Sequence, residues 1–157
     1  MITPIYNLKI NHVKWSEYEK ALRTIRTKVF IKEQQVPVAL EWDEQDASAQ
    51  HLLVLTSTNE AIACARLLDN GSIGRMAVLK EWRGLGVGAK LLNKAIAFHR
   101  QQGISVITLS AQVHAIPFYQ KAGFEVISAP YLDAGILHVD MHLIPEKTSM
   151  TDYLADI

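Results

Sequence analysis

The segment Leu79-Lys80-Glu81-Trp82-Arg83-Gly84-Leu85-Gly86-Val87-Gly88-Ala89-Lys90 constrains this chain more than any other. It lies between an apolar, strand-like run and a stretch whose apolar residues recur at helical spacing, so the chain must turn from strand to helix here. Its glycines let the backbone bend until several amide N–H groups point one way at the positive end of the helix dipole, which makes an anion site. Lys80, Arg83 and Lys90 add charge around it and suit a pyrophosphate better than a lone carboxylate. Other readings compete. A nucleotide P-loop wants glycine, lysine and then Ser or Thr, and Ala89-Lys90-Leu91 supplies neither the last glycine nor the hydroxyl for magnesium. Gly84-Leu85-Gly86-Val87-Gly88-Ala89 fits the dinucleotide fingerprint in its Ala-ending form. That fingerprint expects an acidic residue about 20 positions on, and no Asp or Glu occurs between Glu81 and Glu125. A purely structural tight turn accounts for the glycines but not for their place at a helix start.

The rest of the chain supplies the elements around this turn. Residues 8–13 alternate as an opening strand, and Ser16-Glu17-Tyr18-Glu19 matches a capping box, so a helix is predicted from Ser16 until Pro37 ends it. Tyr18, Leu22, Ile25 and Val29 form its inward face. Residues 38–50, with Glu41, Asp43, Glu44 and Asp46, show no period and read as an acidic loop. Strands follow at 51–55, 61–68 and 73–79, the last two joined at Asn70-Gly71, a pair that tolerates positive φ at both centres. Val87, Leu91, Leu92, Ala95, Ile96 and His99 define a helix stopped by Gly103, and the apolar run 104–109 predicts a strand covered on both faces. A short helix over 115–122 closes at Gly123 with Pro117 in its first turn, and strands at 124–127 and 136–143 finish a sheet. The order is strand, helix, three strands, helix, strand, helix, two strands. At 157 residues with no internal repeat or linker, it predicts one domain over 1–157, with 145–157 a polar, frayed tail.

Composition narrows the partners. The formal net charge is zero and no Lys/Arg run stands out, which argues against nucleic acid and against a membrane surface and favours a small molecule. Cys64 is the one cysteine, so no internal disulfide can form; its apolar neighbours Ala61-Ile62-Ala63 and Ala65 favour packing over nucleophilic chemistry. The opening Met1-Ile2-Thr3-Pro4-Ile5-Tyr6 lacks the basic and apolar segments of a signal peptide, and no apolar run approaches spanning length, so a cytoplasmic protein is expected.

Arg83-Gly84-Leu85-Gly86-Val87-Gly88 resembles the Gln/Arg-x-x-Gly-x-Gly/Ala signature with which GNAT acetyltransferases hold the pyrophosphate of acetyl-CoA. Ile116-Pro117-Phe118-Tyr119-Gln120-Lys121-Ala122-Gly123-Phe124 resembles the same family's second motif, a helix ending in Gly-Phe. Two motifs in order, separated by a helix and a strand, are far more specific than either alone. Val29-Phe30-Ile31-Lys32-Glu33-Gln34-Gln35-Val36-Pro37, followed by Glu41, Asp43 and Asp46, further resembles the ElaA/YjcF-like branch, and the likeness runs from about residue 23 to 143. It implies an α/β (α+β) GNAT fold: a mixed, mostly antiparallel sheet of about seven strands flanked by helices, its central strands splayed.

The resemblance also implies an activity, transfer of an acetyl group from acetyl-CoA to a primary amine of a small molecule, or less readily of a protein, by direct attack on the thioester without a metal. Acetyl-CoA is the expected cosubstrate and a homodimer the expected assembly. Met76, Ala77 and Val78 would hold the pantetheine arm, with an amide near Val78 polarising the thioester carbonyl. Arg83, Gly84, Leu85, Gly86, Val87, Gly88 and Ala89 would cradle the pyrophosphate, and His114 and Phe118 would border the arm. The chain carries Ala111-Gln112-Val113-His114 where many relatives place an asparagine, so Gln112 or His114 would take that contact. Tyr119 matches the family's tyrosine acid, against a plain role as a core aromatic beside Phe118. Glu41 is the candidate base; Glu33, Asp43 and His138 are candidates for binding the amine. His138, Asp140 and His142 alternate on one strand face, which permits a metal site, but a half-exposed strand explains the same letters and no metal is expected. The competing reading is a non-catalytic acyl-CoA-binding or sensing module, and acyl groups longer than acetyl remain compatible with the motifs.

Overall fold

The computed structural model of the protein describes residues 7–145, so the expected tail lies outside the described residues apart from Pro145, as does the opening hexapeptide. One sheet runs through the described chain. Its strands are β1 (Lys9–Lys14), β2 (Gln50–Leu55), β3 (Ala61–Leu67), β4 (Ser72–Val78), β5 (Ile107–Gln112), β6 (Glu125–Val126), β7 (Tyr131–Asp133) and β8 (Ile136–Leu143). They lie in the order β1-β2-β3-β4-β5-β8-β6, with β7 also paired to β8. Every pairing is antiparallel except β4 with β5. The helices are α1 (Trp15–Arg26), α2 (Val38–Glu41), α3 (Val87–Gln101) and α4 (Ile116–Lys121).

The centre of the sheet is where the hydrophobic effect concentrates. Leu52, Leu53 and Val54 on β2 and Ile62, Ala63, Cys64, Ala65 and Leu67 on β3 are all buried, so residues of both parities are covered. Both α1 and α3 touch β3, which places the two helices on opposite faces. Leu22, Ile25 and Val29 pack from one side, and Val87, Leu91, Leu92 and Ala95 from the other. Among the described residues no helix is long and apolar enough to cross a membrane.

Several local expectations are corrected. The predicted seven strands become eight because 131–133 folds back on β8 through Ala134 (φ 51°) and Gly135 (φ 77°), a two-residue turn whose alanine hid it. The capping box is not formed: α1 starts one residue early, at Trp15, with Lys14 as its cap and no side-chain capping bond. Past Arg26 the helix widens into a π-helical stretch, Thr27–Glu33, and ends before Pro37. Only Gly71 (φ 90°) of the Asn70-Gly71 pair has positive φ, because the chain makes a three-residue loop in which the Gly71 amide donates to the Leu68 carbonyl at 3.1 Å. β5 begins at Ile107 and buries one face only, with Ser110 exposed, because its other face borders a cleft.

Gly71 is fixed twice over. Its φ suits glycine alone, and an added Cβ would lie 2.8 Å from Ile104 Cγ2 and 2.9 Å from the Val106 carbonyl oxygen. Its own carbonyl accepts from the Thr108 amide at 3.1 Å, where β4 and β5 meet. Gly71→Ala is expected to cost about 2 kcal/mol or more, read as a lower denaturation midpoint with an unchanged m-value; a midpoint equal to the wild type would show that this contact gives way freely.

Candidate active site

β4 and β5 pair only at Ser72–Thr108 and Ile73–Leu109, then part company. The gap opens a cleft of about 660 Å³ walled by Gly74, Arg75 and Met76 from β4, Ser110 and Gln112 from β5, and Tyr119 from α4. A strand that loses its neighbour exposes backbone groups that must find other partners.

β4 is also irregular on its other edge. Arg66 pairs with Gly74 but Cys64 pairs with Ala77, so β4 holds one residue too many, a β-bulge at Arg75 and Met76. Arg75 adopts φ 47°, the left-handed region that residues bearing a Cβ avoid. Beyond the bulge the Leu79 amide donates to the Ile62 carbonyl at 2.9 Å, toward β3. By strand alternation the N–H and C=O of Val78 then face the opposite, open side. The Val78 carbonyl indeed accepts from Arg83 Nε at 2.9 Å.

The glycine turn follows at once. A 3₁₀ turn, Lys80–Trp82, leads to Gly84 (φ 76°) and Gly86 (φ 84°), and Gly86 caps α3 without any side-chain capping bond. The first amides of α3 therefore have no intrahelical acceptor and present the positive end of the dipole. Gly88 faces α4: an added Cβ would meet the Phe118 ring at 3.4 Å, an ordinary van der Waals contact. Arg83 extends its guanidinium to Glu33, both nitrogens to both carboxylate oxygens at 2.9 and 3.0 Å. Two residues assigned separate tasks from sequence are thus joined in a half-exposed, bidentate pair.

Tyr119 packs edge-on against Phe118 and Phe124, with centroids 5.0 and 6.1 Å away, and lines the cleft. Burial pushes its hydroxyl up to about 12, so it keeps its proton at neutral pH. His114 and His138 also line the cleft; His138 Nδ1 is 2.7 Å from the Ile136 carbonyl, and its ring stacks on Tyr131. Tyr131 donates to Asp140 at 2.6 Å and is hydrogen-bonded to Ser110. Gln112 and Gln34 exchange hydrogen bonds across the cleft at 2.7 and 3.3 Å. Val139 and Met141 are buried on the other face of β8, and among the described residues no group of three His, Cys, Asp or Glu is arranged to hold a metal ion. Burial pushes the Cys64 thiol up to about 12, against nucleophilic use.

The acidic stretch 38–50 contains α2, and two of its carboxylates turn inward. Glu41 and Asp46 are 3% exposed, beside Arg26 at 1% and Arg66 at 5%. Arg26 donates to Glu41 Oε2 and Asp46 Oδ1, both at 2.7 Å, and to the Glu41 carbonyl at 2.9 Å. Arg66 reaches Asp43 at 2.7 Å and Asp46 at 3.1 Å. Arg75 pairs with Glu41 Oε2 at 3.2 Å and with Asp43 at 3.3 Å. His51 Nε2 is 2.9 Å from the Asp46 carbonyl, and Trp15 and Trp42 lie over the Arg26 guanidinium. Sequence reasoning missed the three arginines. One signal was there: Arg26 continues the spacing of Leu22, Ile25 and Val29, so a cation occupied a core position and required buried anions. Burial pushes the Glu41 carboxyl up, against the pull of Arg26 and Arg75. Burial also pushes Asp46 up, but Arg26 and Arg66 outweigh it and the net direction is down.

This chain belongs to the GNAT acetyltransferase family and is an acyltransferase: the acetyltransferase (GNAT) domain matches over residues 14–145. Within the family it falls in the branch of YjcF and ElaA. The uncharacterized N-acetyltransferase YjcF of Bacillus subtilis is 41% identical over 123 residues, spanning 74% of this chain and 86% of that protein. The crystal structure of Escherichia coli ElaA superposes with a TM-score of 0.78 at 28% identity, covering 87% of this chain and 99% of that one. An acyl-CoA N-acyltransferase from Pseudomonas aeruginosa superposes at 0.76 with 30% identity, covering 87% and 97%.

Asp46→Asn should cost about 3–5 kcal/mol at neutral pH, because Arg26 and Arg66 lose a buried counter-charge. The carboxyl of Asp46 is held below its unfolded value of about 3.9, so its contribution is complete above that pH and disappears as pH falls through the lower folded value. Denaturant titrations between neutral and strongly acid pH should show a steeper acid loss in the wild type than in Asp46→Asn; parallel curves would show that Asp46 does not carry it.

Proposed function

We propose that the protein transfers an acetyl group from acetyl-CoA to a primary amine of a small molecule, with the described residues working as one domain. The observation that carries this reading is the parting of β4 from β5, which leaves the Val78 amide on the unpaired edge of β4, on the side away from β3.

The pantetheine arm lies along the free edge of β4, taking the place of the missing strand and pairing with backbone groups of Met76, Ala77 and Val78. The pyrophosphate rests on the amides from Gly84 to Ala89, with Arg83 beside them. His114 and Phe118 border the arm. The amine nitrogen attacks the thioester carbonyl carbon, and the Val78 amide meets the charge that develops on oxygen. The C–S bond then breaks, and the departing thiolate takes the proton of Tyr119, which burial keeps protonated at neutral pH; solvent then returns a proton to the phenolate as Glu41 releases the one it took from the amine. The amine loses its own proton to Glu41, directly or through water. The hydrogen bond from Arg26 and the nearest approach of Arg75 both fall on Oε2 of Glu41. Asp43 and His138 help to hold the amine. Glu33 acts on the cofactor side: its carboxylate occupies Arg83 until pyrophosphate displaces it.

Thiol release from acetyl-CoA against a panel of primary amines, with acetyl-CoA binding measured on the same preparation, tests the reading; failure to bind acetyl-CoA would sink it. Tyr119→Phe should lower kcat about 100-fold with acetyl-CoA affinity nearly unchanged, and an unaltered kcat would remove Tyr119 from the proton transfer. Glu33→Gln should free Arg83 and tighten acetyl-CoA binding about two- to fivefold at low salt, whereas equal or weaker binding would show that the pair does not compete with pyrophosphate.

A further inference from the structure

We infer that Arg75 is a positioning residue for acyl transfer: gripped by Glu41 and Asp43, its side chain holds the left-handed backbone that makes the β4 bulge and so turns the Val78 amide to the unpaired edge of β4. This rests on the reading of Val78 given above and adds to it the device that aims the amide.

The register supplies the argument. Upstream of the bulge Arg66 stands opposite Gly74. Continued without the extra residue, that register would set Ile62 opposite Val78. Ile62 directs its carbonyl toward β4, where it accepts from Leu79. Val78 would then be the residue bonded to β3, and its amide would be turned away from the unpaired edge. With the extra residue Ala63 stands opposite Val78, and the amide faces the other way. One residue at φ 47° therefore decides which edge of β4 the Val78 amide serves.

Glycine would take that φ freely, yet the chain carries arginine there, directly after Gly74. The side chain explains why the conformation holds. Its Nε and one terminal nitrogen donate to the Glu41 carbonyl at 3.2 and 3.0 Å, and that terminal nitrogen also reaches the Asp43 carboxylate at 3.3 Å. Glu41 is anchored in turn by Arg26 through both its carbonyl and its carboxylate. The bulge is thus tied through α2 to α1, and the Arg75 carbonyl lies 3.7 Å from the Cys64 thiol on β3.

Two substitutions separate this role from mere support of the fold. Arg75→Ala removes the guanidinium and keeps a Cβ that resists the left-handed region; Arg75→Gly removes the same group and accepts that region without strain. The reading is the infrared carbonyl band of acetyl-CoA isotopically labelled at the thioester carbon, bound to each protein, together with kcat for the amine that the wild type uses fastest. In the wild type the bound band should lie below that of free acetyl-CoA. Arg75→Ala should lose that displacement and about 100-fold in kcat while KM for acetyl-CoA changes little, and Arg75→Gly should recover most of both. Should Arg75→Ala not fold, Arg75→Lys keeps the charge but cannot reach the Glu41 carbonyl and Asp43 together, and should lie between. A normal band and kcat in Arg75→Ala or Arg75→Lys, or equal losses in the alanine and glycine variants, would overturn the proposal. No displacement in the wild type would overturn the Val78 reading itself, and this proposal with it.

Discussion

Three guanidinium groups and three carboxylates meet under the sheet, and the rest of the structure is arranged around that meeting. Arg26, Arg66 and Arg75 face Glu41, Asp43 and Asp46, so the charges balance in number inside a largely dehydrated space. Burying charge is costly unless each group is paired and hydrogen-bonded, so such a cluster tolerates few alternative arrangements. Its members come from α1, α2, the turn after α2, β3 and β4. Satisfying them fixes how the first helix lies on the sheet and where residues 38–46 run. The pairing is not perfect: Arg66 Nε is buried without a partner among the described residues. Trp15 and Trp42 cover Arg26 with their faces, which excludes water while still offering the cation an attractive surface.

The cleft is a consequence of a sheet that fails to close. β4 and β5 share only two residue pairs, and from Gly74 onward β4 keeps a neighbour on one side alone. The glycine turn and the start of α3 lie at the end of that free edge, and Phe118 and Tyr119 close it from α4. The cleft is lined both by the protonated phenol of Tyr119 and by charged side chains, Glu41, Arg66 and Arg75 among them. The charged cluster borders the cleft through Glu41, Arg66 and Arg75, while Arg26 and Asp46 are buried and absent from its lining.

The sequence by itself determined the parts whose signals are local. Strand alternation, helical spacing and the glycines at 84, 86 and 88 placed most elements and the strand-to-helix turn, because these depend on neighbours in the chain. The pair of motifs around Arg83 and Tyr119 pointed to the family for the same reason. What it misjudged was equally local: Ser16 did not cap, and Ala134 made a turn that its letter does not advertise. Only the tertiary structure decided that Glu41 and Asp46 are interior groups rather than a solvated loop, that Arg83 and Glu33 share one ion pair, and that Arg75 carries a bulge. Each of these depends on partners 15 to 50 residues away, brought together by packing. A short-range pattern holds no record of such pairings, since the energy of a buried charge is set by what surrounds it in space and not by what precedes it in the chain.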